Sequence, residues 1–505
     1  MRKTGISFLL LILFVFPLSA QDQLPRSSLE KEGVDPSGVA EFLEAVKESS
    51  HEFHSLMILR HGKVITEGWW DPYAPDLKHT MYSVSKSFTA TAIGFAVNER
   101  TLSVEDKVIS FFPEQLPDSI SHHLQALSIR DLLTMSVGHR EDPTGKVVSS
   151  DNWVEAFLEV PITNPPGSTF LYNTAATYML SAILQKVTGE TVLDYLTPRL
   201  FQPLGISDVD WESDPHGINT GGYGLRLKTE DMAKFGQLFL QKGLWQGKQV
   251  LPVEWVEEAS SAKIIQDPDA PQEKVDRSDW LQGYCYQMWR SRHNSFRADG
   301  AFGQYILVLP ELDAVIVITS ETNDMQGELN LVWQHLLPAF NKPEMSEDPG
   351  LQSTLDNLAL DPLVSEGNKV KESEVQGQWF ERKNQSFMVD FQGGLAVLNL
   401  KTDEEHFQFS FGSGEWILGK TDRKGPYLVA GAKGYLSGLE PFKVAGSYAW
   451  MDKQTLELQL RYVESPHTQI IRLVFDKKSA VMEIGNSFQK HKTELIFEAL
   501  VDEEL

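Results

Sequence analysis

The hydrophobic period changes once along this chain, and that change divides it. Up to about residue 341, helix-spaced and strand-spaced apolar patterns mix. After about residue 376 the period is two: Phe407, Phe409 and Phe411 alternate with polar residues, as do Leu456, Leu458, Leu460 and Tyr462. A period of two puts alternate side chains on one face of a strand, so the second part reads as an all-β barrel or sandwich over 376–505. The first part, 21–341, reads as a mixed domain. One hairpin is expected over 55–67 with a turn at His61-Gly62, and another over 305–318 with a turn through Pro310 to Asp313. Helices are expected over 83–98 and 175–187, the latter stopped by Gly189. A third is expected behind an N-cap at Thr229. Strands near both ends with helices between imply an antiparallel sheet with a helical region, an α/β (α+β) arrangement. Between the two parts, 342–375 is acidic and carries Pro343, Pro349, Gly350, Pro362 and Gly367, which reads as a linker.

Charge and cysteine content narrow the function. The formal net charge of −25 repels phosphate backbones and anionic membranes, so no nucleic-acid partner is expected. The single cysteine, Cys285, excludes an internal disulfide and a Cys-rich metal site. Arg2 and Lys3 precede an apolar run from Phe8 to Phe16 and then Pro17-Leu18-Ser19-Ala20. That is the pattern of a secretory signal over 1–20, cut near Ala20, which predicts a secreted or periplasmic protein with no membrane span in the mature chain.

Chemistry concentrates at Met81-Tyr82-Ser83-Val84-Ser85-Lys86-Ser87-Phe88. The pattern Ser-x-x-Lys starts at Ser28, Ser83, Ser260 and Ser487, but only the match at Ser83 opens a long, nearly uncharged helix. Residues i and i+3 share a helical face, so Ser83 Oγ and Lys86 Nζ can meet. Burial depresses a lysine pKa and lets the amine accept a proton from serine. The alternative is a capping serine beside a lysine that reaches solvent.

Two further segments are candidates for the same site. Pro165 to Thr174 is a turn-rich loop that delivers Tyr172 to the start of a helix; beside a cationic lysine its phenol pKa should fall. Arg297-Ala298-Asp299-Gly300-Ala301-Phe302-Gly303-Gln304 precedes a strand, and its glycines let backbone approach a ligand, so an N–H there could hold an oxyanion beside that of Ser83. Other routes lack their motifs: there is no G-x-S-x-G, no H-E-x-x-H and no P-loop, and the histidines show no metal-ligand spacing. Neither metal nor cofactor is expected.

These three segments, in this order, resemble the motifs of the serine β-lactamase and penicillin-binding-protein superfamily. The resemblance is to its class C-like branch, with class C β-lactamases, D-alanyl-D-alanine carboxypeptidases, esterases and 6-aminohexanoate-dimer hydrolases. It spans about residues 30–340 and extends to 102–113, to Ile129 through Ser136 with Gly138, to Thr220-Gly-Gly-Tyr-Gly224 and to 231–238. It implies a β-lactamase-like transpeptidase fold, Ser83 as the acylated nucleophile, Lys86 as its activator and Tyr172 as the proton shuttle.

Two departures matter. The second motif is usually Tyr-x-Asn but here is Tyr172-Asn173-Thr174, which moves the amide to Asn173. Where the third motif usually carries Lys-Thr-Gly or His-x-Gly, this chain has Ala298-Asp299-Gly300, without a cation for a substrate carboxylate. With Gly300 as the motif glycine, Ala301 N–H becomes the oxyanion donor. Both departures resemble the esterase and 6-aminohexanoate-dimer hydrolase side. Tyr284, Trp289 and Phe302 are candidate pocket walls.

The expected activity is hydrolysis of a small ester or amide through an acyl-enzyme. β-Lactam hydrolysis or D-alanyl peptide cleavage ranks second, and a non-catalytic protein that binds or senses cell-wall fragments is the alternative of another class. Intact Ser83, Lys86 and Tyr172 argue against the last.

Overall fold

The computed structural model describes residues 23–340, 342 and 348–500; the expected signal segment lies outside them. In the first domain, helix α1 (Pro36–Glu48) leads into strands β1 (Glu52–Arg60) and β2 (Lys63–Trp69), the expected hairpin. The chain then leaves the sheet for the helical region: α2 (Ser85–Asn98), α3 (Ile129–Leu133), α4 (Thr174–Thr188) and α5 (Thr229–Leu240). It returns as β3 (Trp289–Arg290), β4 (Phe296–Gly300), β5 (Gln304–Leu309) and β6 (Ala314–Glu321), followed by α6 (Met325–Leu331). The strand order is β2-β1-β6-β5-β4-β3, antiparallel throughout, so the N-terminal hairpin pairs with the last strand of the domain.

Alternation along the central strands explains the layering. Leu56 and Ile58 face a core with Phe42, Val46, Ile316, Ile318 and Trp333, which is the α1 side. Met57 and Leu59 face the other core, with Phe235, Val315 and Val317, on the α5 side. Apolar residues on both faces of β1 and β6 therefore require helices on both sides of the sheet. Gly189 ends α4 in the left-handed region at φ 76°, as its position suggests. Thr229 does not cap α5. Lys228 holds the N-cap position, and the Thr229 hydroxyl donates to Ser55 Oγ at 2.8 Å, fastening the helix to the sheet.

Part of the expected linker is packed structure among the described residues. Helix α7 (Leu351–Asp356) buries Leu351 and Leu355 in the α1-side core, and Leu360 N–H donates to the Asp71 carbonyl at 2.8 Å.

The second domain consists of β7 (Trp379–Arg382), β8 (Gln385–Gln392), β9 (Leu395–Thr402), β10 (His406–Gly412), β11 (Ile417–Thr421), β12 (Phe442–Trp450), β13 (Thr455–Tyr462), β14 (Thr468–Phe475), β15 (Ser479–Asn486) and β16 (Thr493–Ala499). Pairing runs β10-β9-β8-β7-β16-β15-β14-β13-β12, and a Gly412–Ser447 bridge from β10 to β12 closes a nine-stranded barrel, with β11 added on β12. It is thus a barrel and not a sandwich. Its interior is filled by Phe387, Leu398, Phe411, Leu458, Ile471 and Leu473, all fully buried.

The barrel sits against the first domain through both apolar and polar contacts: Tyr73 packs with Ala445 and Val463, and Phe302 with Phe488. Arg461 grips Glu52 with two bonds of 2.6 and 2.9 Å, Thr80 N–H donates to the Glu464 carbonyl at 3.0 Å, and Tyr427 donates to the buried carboxyl of Glu212. Among the described residues, no helix is long and apolar enough to cross a membrane.

Candidate active site

The serine and lysine of the first motif meet. A short turn, Tyr82–Val84, carries Ser83 onto the start of α2. Lys86 Nζ lies 2.9 Å from Ser83 Oγ. The same amine donates to Thr174 Oγ1 at 3.1 Å and to the Gly222 carbonyl at 2.7 Å. Lys86 is 1% exposed, and the hydrogen-bonding groups around its Nζ are neutral. Burial is the largest influence and pushes its pKa down to about 7; the more distant Asp142 and Asp299 only pull it back in part. Near neutral pH, amine and ammonium are therefore both populated. The amine has a lone pair for a hydroxyl proton and two N–H bonds for Thr174 and Gly222.

Tyr172 stands beside this pair. Its ring lies 4.9 Å from Lys86 Nζ, stacks on Trp289 at 5.6 Å and meets Tyr284 edge-on at 6.3 Å. The loop is pinned behind it: Leu171 N–H donates to the Met135 carbonyl at 2.8 Å, and Gly167 N–H to the Ser136 carbonyl at 2.8 Å. The expected fall in the phenol pKa is overturned. Burial, helped by Asp299, pushes it up, and a hydrogen bond with Ser83 offsets only part of that. The group is a protonated phenol, suited to donate a proton.

Gly300 brings the third segment to the nucleophile. A Cβ at residue 300 would overlap the Met81 carbonyl oxygen, so only glycine lets β4 approach the backbone before Ser83. Ala301 and Phe302 form the turn that follows, with Phe302 at φ 68° and Gly303 at φ 96°. Asp299 is buried beside this turn, but Arg297 neutralises it: Arg297 Nε donates to Asp299 Oδ2 at 3.0 Å, and the guanidinium lies 4.5 Å from the Trp280 ring.

Four candidate substrate contacts are engaged in packing around the site. Asn173 is the N-cap of α4, where its Oδ1 accepts from Ala176 N–H at 3.1 Å and its amide nitrogen lies 3.0 Å from His139 Nδ1, so it is fully buried helix structure. Tyr284 and Trp289, 1% and 7% exposed, brace the Tyr172 ring rather than form open walls. Phe302, 8% exposed, packs on Tyr82 and on the barrel's His467 and Phe488.

Sequence reasoning missed Thr174 and Gly222. Thr174 was visible as a departure from the motif, and its hydroxyl faces the lysine. Gly222 belongs to the Thr220-Gly-Gly-Tyr-Gly224 stretch; a Cβ there would stand 2.9 Å from the Thr174 carbonyl oxygen and 3.5 Å from Lys86 Nζ.

The profile of the Beta-lactamase family matches residues 41–337. The chain belongs to that family. It is a serine hydrolase of the β-lactamase type. Among curated relatives, a 6-aminohexanoate-dimer hydrolase of Paenarthrobacter ureafaciens is 26% identical over 290 residues, covering 54% of this chain and 73% of the relative. Among solved structures, a Bacillus anthracis protein proposed as a 6-aminohexanoate-dimer hydrolase superposes with a TM-score of 0.51 at 22% identity, over 60% of this chain and 83% of that one. EstCE1, a hydrolase with promiscuous acyltransferase activity, gives 0.50 at 16% identity, over 61% of this chain and 99% of that one. These structures share the fold of the first domain.

Proposed function

We propose that this protein hydrolyses small esters or amides through an acyl-enzyme on Ser83. One observation carries the reading: a buried amine with a pKa of about 7 stands 2.9 Å from the Ser83 hydroxyl. In its neutral form Lys86 takes the Oγ proton as Oγ attacks the substrate carbonyl carbon. The backbone N–H groups of Ser83 and Ala301 hold the oxyanion; Ser83 lies in the first turn of helical structure, where N–H groups lack intrahelical acceptors. Tyr172, kept as a phenol by burial, gives its proton to the leaving alkoxide or amine, and the proton taken by Lys86 restores it. Water then enters, gives up a proton to the same pair and attacks the ester carbonyl, releasing the acid and Ser83.

The substrate class follows from what the third segment lacks. Ala298 stands where related enzymes place a cation, and the nearby Arg297 is tied to Asp299, Asp279 and Ser291. A substrate that needs its carboxylate held, such as a β-lactam or a D-alanyl peptide, therefore ranks below a neutral ester or amide. The named activity of the Paenarthrobacter relative, hydrolysis of a 6-aminohexanoate dimer, supports amide cleavage, on a substrate that carries a carboxylate of its own. The pattern at residues 1–20 supports secretion or a periplasmic location, which N-terminal sequencing of the mature protein tests.

The experiment is incubation with a p-nitrophenyl ester or a fluorophosphonate, followed by intact mass. A single adduct on the wild type and none on Ser83→Ala is expected. No adduct with any acyl donor would leave the non-catalytic binding protein as the better account.

A further inference from the structure

The barrel delivers one histidine to the back of the site. His467 lies in the turn between β13 and β14 and is fully buried. Its Nε2 is 2.5 Å from Tyr82 Oη, and its Nδ1 is 2.6 Å from Glu321 Oε1 at the end of β6. Its ring meets Phe302 edge-on at 4.7 Å, and Tyr82 and Phe302 also touch each other at 5.6 Å. Phe488, from the turn after β15, closes the cluster at 4.2 Å from His467 and 5.1 Å from Phe302.

The positions of its two partners give the cluster meaning. Tyr82 immediately precedes Ser83, and Phe302 immediately follows Ala301. Both hold left-handed backbone, at φ 44° and φ 68°, which bulky residues rarely adopt and which persists only where surroundings enforce it. The two N–H groups assigned to the oxyanion are therefore each flanked by a strained aromatic residue, and both aromatic side chains end on one imidazole.

We infer that His467 is a positioning residue for the oxyanion hole, so that the barrel sets the geometry of the first domain's chemistry. Glu321 accepts from Nδ1–H and fixes the tautomer; Nε2 then accepts the Tyr82 hydroxyl proton. Burial holds Tyr82 as a phenol and disfavours charge on His467, which keeps both roles in place. The imidazole touches no substrate. It acts by holding Tyr82 and Phe302, and through them the spacing of two donors.

This inference rests on the acyl-enzyme reading, and one assay separates the two. The rate of Ser83 acylation by a p-nitrophenyl ester is measured across substrate concentration in the full chain, for wild type, His467→Ala, His467→Gln and Tyr82→Phe. No acylation of the wild type overturns the acyl-enzyme reading itself, and the inference with it. With the wild type acylated, His467→Ala should lose about 10–100-fold in the maximal acylation rate at a KM changed by less than about twofold. His467→Gln, whose amide can both donate and accept, should recover part of that loss. Tyr82→Phe keeps the ring and strips only the hydroxyl, so it reads the same bond if His467→Ala fails to fold; it should slow acylation several-fold. A wild-type maximal rate in His467→Ala or in Tyr82→Phe overturns the inference, as does a loss confined to KM.

Discussion

The chain has two interiors of opposite character. Around α2 the first domain buries Ser85, Lys86, Ser87, Thr89 and Thr91 among its apolar residues. Their side chains have named partners: Ser87 donates to the Gln287 carbonyl at 2.8 Å, Thr89 to that of Gly221 at 2.8 Å, and Leu225 N–H donates to Ser85 Oγ at 3.2 Å. The barrel core is aliphatic and aromatic, from Phe387, Val389 and Leu398 to Leu458, Ile471 and Met482. A buried, satisfied polar network fixes where groups stand, and an apolar core supplies stability without direction. The difference teaches that chemistry is confined to one interior, and that the barrel reaches it through the few groups it sets at the interface, His467 and Phe488 among them.

Substitutions in the two interiors should therefore separate activity from stability. The largest effect is expected from Ser83→Ala, which should lower ester turnover on the order of 10⁴–10⁶-fold with a melting temperature close to wild type. Tyr172→Phe removes only the phenol hydroxyl and should cost about 10²–10⁴-fold in turnover, read from steady-state kinetics with a poor leaving group. Gly222→Ala should cost roughly 10–100-fold, because the new methyl group clashes with Thr174, whose hydroxyl accepts from the Lys86 amine, and so displaces that amine from Ser83. In the barrel the order reverses. Leu458→Ala should destabilise the protein by about 2–5 kcal/mol, measured by denaturant unfolding, while the folded fraction acylates Ser83 at the wild-type rate. Equal losses of turnover from Leu458→Ala and Gly222→Ala would break the contrast.

Local spacing made part of this legible. Both hairpins, α2, α4 and the Ser83–Lys86 pair follow from residues a few positions apart, and the barrel follows from its period of two. The rest depends on contacts distant in sequence. Gly222 lies 136 residues from Lys86, and His467 lies 385 from Tyr82. Asn173 reads as a substrate amide until the start of α4 shows that it caps the helix. The direction of the Tyr172 pKa depends on burial under Trp289 and Tyr284, which no neighbouring residue announces. The acidic stretch around α7 reads as a linker by composition, yet Leu351 and Leu355 are enough to pack it against the sheet.

The proposed chemistry needs Lys86 as a free base near neutrality. The direct measurement is the single-turnover rate of Ser83 acylation as a function of pH, with an ester that itself does not titrate. The rate should rise with the loss of one proton and level off, with its midpoint at about pH 7, where burial has placed the Lys86 amine. A rise centred near the ordinary lysine value of about 10.4, or a rate indifferent to pH between 5 and 9, would mean that Lys86 is not the group that takes the serine proton.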